Sequence, residues 1–159
     1  MLKKVRTPKR KQPATGRFAI VASRYNARYV NGMLRAAQKT LQAAGAKTVH
    51  TIRVPGAFEI PAVVAKLAGS GEPPAAIICL GVILRGETSH AQHIGEGVSH
   101  ALALAQIRWQ IPIIHEVLLF ENEQQAIVRC LSAEHNRGSE AAHTALEMAA
   151  VMARIEQAS

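Results

Sequence analysis

Aspartate is missing: all eleven acidic residues of the 159-residue chain are glutamate. Chemistry built on an Asp nucleophile, an Asp-bearing triad or an Asp-held magnesium ion is thereby excluded. Aromatic residues make up only 4%, so a core has to come from Ala, Val, Ile and Leu, and 48% apolar residues suffice for one domain. There are two cysteines. Cys79 in a strand-like run and Cys130 in a helical one read as buried thiols rather than a disulfide or metal site. No apolar run reaches the roughly 18 to 20 residues that span a bilayer, and the N-terminus lacks the apolar segment of a secretory signal. The expectation is a cytoplasmic protein with no membrane association. A Gly-rich phosphate loop of the dinucleotide or Walker type is also absent, which leaves nucleotide cofactors unsupported.

Acid is absent locally as well. Residues 1–58 carry 13 Lys or Arg and no acid, whereas residues 59–159 carry 6 basic and 11 acidic residues. Seven of the basic residues lie in "MLKKVRTPKRKQPATGR", which also holds two prolines and almost nothing to bury. Residues 1–16 therefore read as a disordered basic arm and residues 17–159 as a single domain. The arm could bind nucleic acid by counterion release; the favoured reading is a solvated extension.

What is present alternates. "RFAIVAS" is a β-rich run, followed by a segment in which Val30, Met33, Leu34, Ala37 and Leu41 recur at helical spacing until Gly45. "KTVHTIRV", "PPAAIICLGVIL" and "IPIIHEVLLF" are further strands, each followed by helical sequence, and two helices close the chain. The order β-α-β-α-β-α-β-α-α predicts right-handed crossovers and a four-stranded parallel sheet covered on both faces. This is a three-layer α/β/α sandwich of flavodoxin-like type. Ligands of such sheets bind beyond the carboxyl ends of the strands. Here Ser23 to Asn26, "VPGAFE" and "RGETSH" each follow a strand, so they converge on one edge. "SHALALAQI" and "AAHTALEMAAVMA" are apolar around much of their circumference and predict helices with two buried faces, one against a neighbouring subunit of a homo-oligomer.

Each polar cluster has a functional and a bland reading. Thr88 and Ser89 suit the cap of a helix starting near His90, where backbone N–H groups bind phosphate or carboxylate. Arg85 would reinforce an anion or pair with an acid such as Glu87. His90, at the ligand edge, is the candidate for moving protons near neutral pH. His90, His93 and His115 could in principle share a metal, yet the spacing is common by chance and no metal is expected. "VPGAFEIP" would offer backbone groups, a ring and a carboxylate to a planar heterocycle, with Tyr25 for stacking; the bland alternative has Phe58 plugging the core and Glu59 solvated. Arg129 is an anion anchor or a solvated helix charge.

Taken together, "RYN", "VPGAFEIP", "GVILRGETSH", "EQQAIVRC", "HNRG" and "EAAHTALEMA" resemble the lumazine synthase family over about residues 17–157. The resemblance implies a cofactor-free condensation of 5-amino-6-(D-ribitylamino)uracil with 3,4-dihydroxy-2-butanone 4-phosphate in riboflavin biosynthesis. It implies that Tyr25 stacks on the pyrimidine, and that Ala57, Phe58 and Glu59 bind the pyrimidine and ribityl chain. Val82, Ile83 and Leu84 would add backbone contacts, and His115 would take the place of the family's usual Phe against the pyrimidine. Glu87 and Thr88 would hold the phosphate, Arg129 would pair with it, His90 would move protons, and Arg137 would keep the charge of the family's usual Lys. Ala91 and Gln92 depart from the family's aromatic and acid, which implies a divergent member. Family members are pentamers, some of which close into 60-subunit shells; both assemblies stay open here, since the closing-helix connection shows no insertion against a shell while proline and charge in the arm disfavour one. A flavin- or lumazine-binding protein without turnover is the alternative on the same scaffold.

Overall fold

A computed structural model describes residues 14–87 and 89–159. Residues 1–13 of the basic arm and Thr88 lie outside the described residues. Ala14 is buried, and its N–H donates to the Ala44 carbonyl, 2.9 Å away.

The elements are β1 (Arg17–Ser23), α1 (Ala27–Ala43), β2 (Thr48–Val54), a 3-10 turn (Ala57–Glu59), α2 (Ile60–Ala68), β3 (Ala76–Leu84), α3 (His90–Trp109), β4 (Ile113–Phe120), α4 (Glu123–Leu131) and α5 (Arg137–Ala158). The strands pair in parallel in the order β2-β1-β3-β4. One apolar layer joins the sheet to α1, α4 and α5 and the other joins it to α2 and α3. Strand β3 shows why its sequence has no polar positions. Ala76, Ile78, Leu80 and Val82 enter the first layer, while Ile77, Cys79 and Ile83 enter the second. This is the expected α/β/α sandwich.

Helix α1 buries Val30, Met33, Leu34, Ala37 and Leu41 along one stripe. It ends at Gly45, whose φ of 81° suits glycine and whose N–H bonds the Gln42 carbonyl at 2.9 Å. Helices α1 and α5 cross so closely that a Cβ on Gly138 would lie 2.0 Å from the Met33 carbonyl oxygen. Glycine is the residue that fits there.

Two helices retain apolar side chains that the described residues do not cover. α3 buries Val98 and Leu102 but leaves Leu104 and Ile107 55% and 73% exposed. α5 buries Ala141, Ala142, Ala145 and Leu146, while Ile155 is exposed. Cys79 and Cys130 are buried thiols, held by burial above the ordinary thiol range. No helix among the described residues is long and apolar enough to cross a membrane.

Candidate active site

Strand lengths create a notch at the carboxyl edge. The last β1–β3 pair is Ala22 with Leu80, whereas β3 continues beside β4 until Leu84 meets Phe120. The β1 side of β3 beyond Leu80 therefore has no strand neighbour among the described residues. The N–H groups of Ile77 and Arg85 bond β4-side carbonyls, Pro112 at 2.9 Å and Phe120 at 2.9 Å. Backbone groups alternate sides along a strand, so Ile83 also bonds towards β4, while Val82 and Leu84 direct their N–H and C=O towards the notch. Of the three backbone contacts expected here, Ile83 thus offers no main-chain group to the notch.

Loop residues shape the rest of that wall. Asn26 adopts the left-handed conformation (φ 54°), and its side-chain amide donates to the Val82 carbonyl at 2.8 Å. Arg53 donates to the carbonyls of Ala22 (3.2 Å) and Ser23 (2.9 Å) and to Asn31 Oδ1 (2.8 Å), which fixes the end of β1 to α1. The Tyr25 N–H reaches the Pro55 carbonyl at 3.0 Å, tying the loop after β1 to "VPGAFE". Tyr25 is 75% and Phe58 63% exposed, so neither ring plugs the core. Ala57 is buried beneath the turn. Glu59 is more than a solvated charge: its Oε2 accepts the Gly56 N–H at 2.8 Å and stiffens the turn.

After β3, Glu87 and His90 are exposed, with His90 at the first position of α3. The expected Ser89 cap is not made. Its side chain forms no capping bond, and only its carbonyl joins the helix, accepting the His93 N–H at 3.2 Å. Thr88, the other expected cap and phosphate ligand, lies outside the described residues. Arg85 pairs not with Glu87 but with Glu121, its Nη1 lying 2.7 and 2.9 Å from the two carboxylate oxygens. Glu87 carries a negative side chain, so a phosphate would meet its backbone N–H rather than its carboxylate.

The remaining candidates lie along β4 and the helices after it. His115 pairs in register with Cys79, below the start of the notch and five residues before Leu84, which at roughly 3.3 Å per residue puts it about 16 Å along the sheet from the outer end of the notch. One chain therefore does not bring His115 together with Tyr25 and Phe58. His115 Nδ1 accepts the Val117 N–H at 3.1 Å, and Nε2 lies 2.7 Å from Ser99 Oγ. The acceptor role of Nδ1 leaves the proton on Nε2, so this histidine cannot take a proton from Ser99, and the pair is not a nucleophilic dyad. Arg137 is held by Glu116, Nε to Oε2 and Nη2 to Oε1 both at 2.9 Å, and by Glu140 at 2.7 Å. Glu116 is 5% exposed. Burial pushes its carboxyl up to about 7, against the pull of the Arg137 cation.

Two open cavities flank β4. One, of about 480 Å³, is lined by Arg129 with Phe120, Gln124, Gln125 and Val128. The other, of about 820 Å³, lies between α3 and the outer side of β4, with Gln92, Glu96, Ser99 and His100 facing Val117 to Leu119. No group of three or more His, Cys, Asp or Glu positioned to hold a metal occurs among the described residues.

Sequence reasoning missed Asn26 as the link to Val82, Arg53, Ser99 and Glu116. Glu116 had a usable signal: one acid inside "IPIIHEVLLF" is a charge a buried strand must pair. The partner itself, Arg137, is 21 residues away and carries no local mark.

What the notch offers is two exposed rings, oriented main-chain groups, a helix start and one imidazole. That set suits orientation of a planar substrate and proton transfer, without a strong nucleophile.

Residues 15–153 match the family model of 6,7-dimethyl-8-ribityllumazine synthase. The chain is 38% identical over 138 residues to the 6,7-dimethyl-8-ribityllumazine synthase of Stenotrophomonas maltophilia (strain R551-3), covering 86% of this chain and 88% of that one. It is 37% identical over 143 residues to the enzyme of the same name from Xanthomonas oryzae pv. oryzae (strain PXO99A), covering 89% and 92%. With the fold and its strand-end notch in the same stretch of chain, the protein belongs to the 6,7-dimethyl-8-ribityllumazine synthase family and is a transferase of riboflavin biosynthesis.

Proposed function

We propose that this transferase condenses 5-amino-6-(D-ribitylamino)uracil with 3,4-dihydroxy-2-butanone 4-phosphate at the notch beyond β1, giving 6,7-dimethyl-8-ribityllumazine, phosphate and water without a cofactor. The observation that carries the reading is the convergence of the loops after β1, β2 and β3 on one edge, within the span matched to the family. The pyrimidine lies against Tyr25 and Phe58, with Ala57 and Glu59 beside the ribityl chain and the main chain of Val82 and Leu84 reading the heterocycle. The butanone phosphate lies at the start of α3, by the backbone of Glu87 and Thr88, with Arg129 as its cation.

The amine adds to the ketone carbonyl and water leaves, forming an imine. Loss of a proton from carbon and departure of phosphate leave an enol that tautomerises to a new ketone; the ribitylamino nitrogen adds to that carbonyl, and a second water leaves as the ring closes. His90 moves the protons. Amine and ketone react readily once aligned, so holding them together supplies most of the acceleration; a positioned imidazole adds a factor of roughly 10² or more.

His115 is assigned to the pyrimidine as well, and its distance from Phe58 along the sheet is met when the notch of one copy faces the β4 edge of another. The exposed apolar face of α3 supports such an assembly, and the family resemblance favours a cytoplasmic pentamer. Phe58→Ala tests the site: the KM for the pyrimidine should rise about tenfold or more through lost ring burial and stacking, with the KM for the butanone phosphate little changed. An unaltered pyrimidine KM would remove the notch from the account.

A further inference from the structure

We propose that Ser99 is a positioning residue for His115: its hydroxyl takes the Nε2–H and fixes the imidazole as a flat ring presented to the pyrimidine. The inference rests on the reading above that His115 meets that substrate. Three bonds form one relay. The Val117 N–H points at Nδ1 (3.1 Å), Nε2–H donates to Ser99 Oγ (2.7 Å), and Ser99 Oγ donates to the Gly95 carbonyl (2.7 Å). Each partner has a defined direction, so the tautomer and the ring plane are set together. With both nitrogens engaged by protein, the half-buried ring has its face left to offer a ligand, which is stacking rather than hydrogen bonding.

Ser99 and Val117 both line the 820 Å³ cavity, so the relay borders a space that a planar ligand can enter. A second proton would have to occupy Nδ1, where the Val117 N–H already points. Burial holds the imidazole below its ordinary value, partly offset by its own backbone carbonyl, which favours the neutral ring that the two bonds describe.

Steady-state kinetics of Ser99→Ala, Ser99→Thr, His115→Phe, His115→Ala and the double variant S99A/H115F test this on the whole chain. Ser99 is exposed on α3, where alanine favours the helix. In Ser99→Ala the KM for the ribitylaminouracil should rise about three- to tenfold, the scale of one lost hydrogen bond, with kcat within about twofold, and Ser99→Thr should restore it. His115→Phe keeps a flat ring that needs no hydroxyl, so adding Ser99→Ala to it should change nothing further. A normal KM in Ser99→Ala, or the same rise in both backgrounds, overturns the positioning role. A normal KM in His115→Ala overturns instead the reading that His115 meets the pyrimidine.

Discussion

Arg129 shows what a single side chain contributes here. It lines an open cavity with Phe120 and two glutamines, and the proposed function makes it the cation for the phosphate substrate. A charge-assisted contact is worth about 1.5 to 3 kcal/mol. Arg129→Ala should therefore raise the KM for the butanone phosphate roughly tenfold to a hundredfold and leave that for the pyrimidine nearly unchanged, by initial-rate kinetics. An unaltered phosphate-substrate KM would assign the anchor elsewhere. Arg137 is a contrasting case. Two carboxylates, Glu116 and Glu140, already claim its guanidinium, so its charge acts on β4 and α5 before it can act on a ligand.

At the scale of elements, β4 carries two titrating groups with opposite effects on stability. The Glu116 carboxyl is raised from 4.5 to about 7, so its stabilising contribution is fully present below pH 4.5 and lost as pH rises through 7. The His115 imidazole is lowered below 6.5, so its contribution is present above pH 6.5 and lost as pH falls. Well above pH 6.5 His115 is neutral in both states, so towards pH 8 Glu116 sets the slope of the two. Chemical denaturation should show wild-type stability falling by about 1 kcal/mol between pH 6.5 and 8 relative to Glu116→Gln. Identical slopes in the two proteins would mean that Glu116 is not raised.

The elements themselves were legible because their signals are local: β1 matches the run 17–23 to the residue, and the wholly apolar "AIICLGVIL" announced a strand buried on both faces. The strand-end clusters were legible as a candidate site for the same reason. Register and pairing were not. Arg85 finds Glu121, 36 residues on, rather than nearby Glu87, and the depth of His115 follows from its pairing with Cys79. Both depend on how strands are laid side by side, which no short window encodes.

For the whole molecule, the uncovered face of α3 is the strongest evidence that one chain is not the working unit. Leu104 and Ile107, one helical turn apart, are largely exposed. A glutamate at position 107 would place a charge in the centre of any interface there. Ile107→Glu should shift sedimentation velocity towards smaller species and lower activity per chain in proportion if, as proposed above, His115 of one copy meets the notch of another. Unchanged size would place the interface on another face.

The central claim is that this chain, with its notch at the β1–β3 step, makes lumazine from two substrates. Its most direct test is to mix purified protein with 5-amino-6-(D-ribitylamino)uracil and 3,4-dihydroxy-2-butanone 4-phosphate, following lumazine absorbance and released phosphate together. The account predicts both products at one-to-one stoichiometry and a rate above the spontaneous reaction. Binding of either substrate or of lumazine, with no rate above the uncatalysed background, would contradict it.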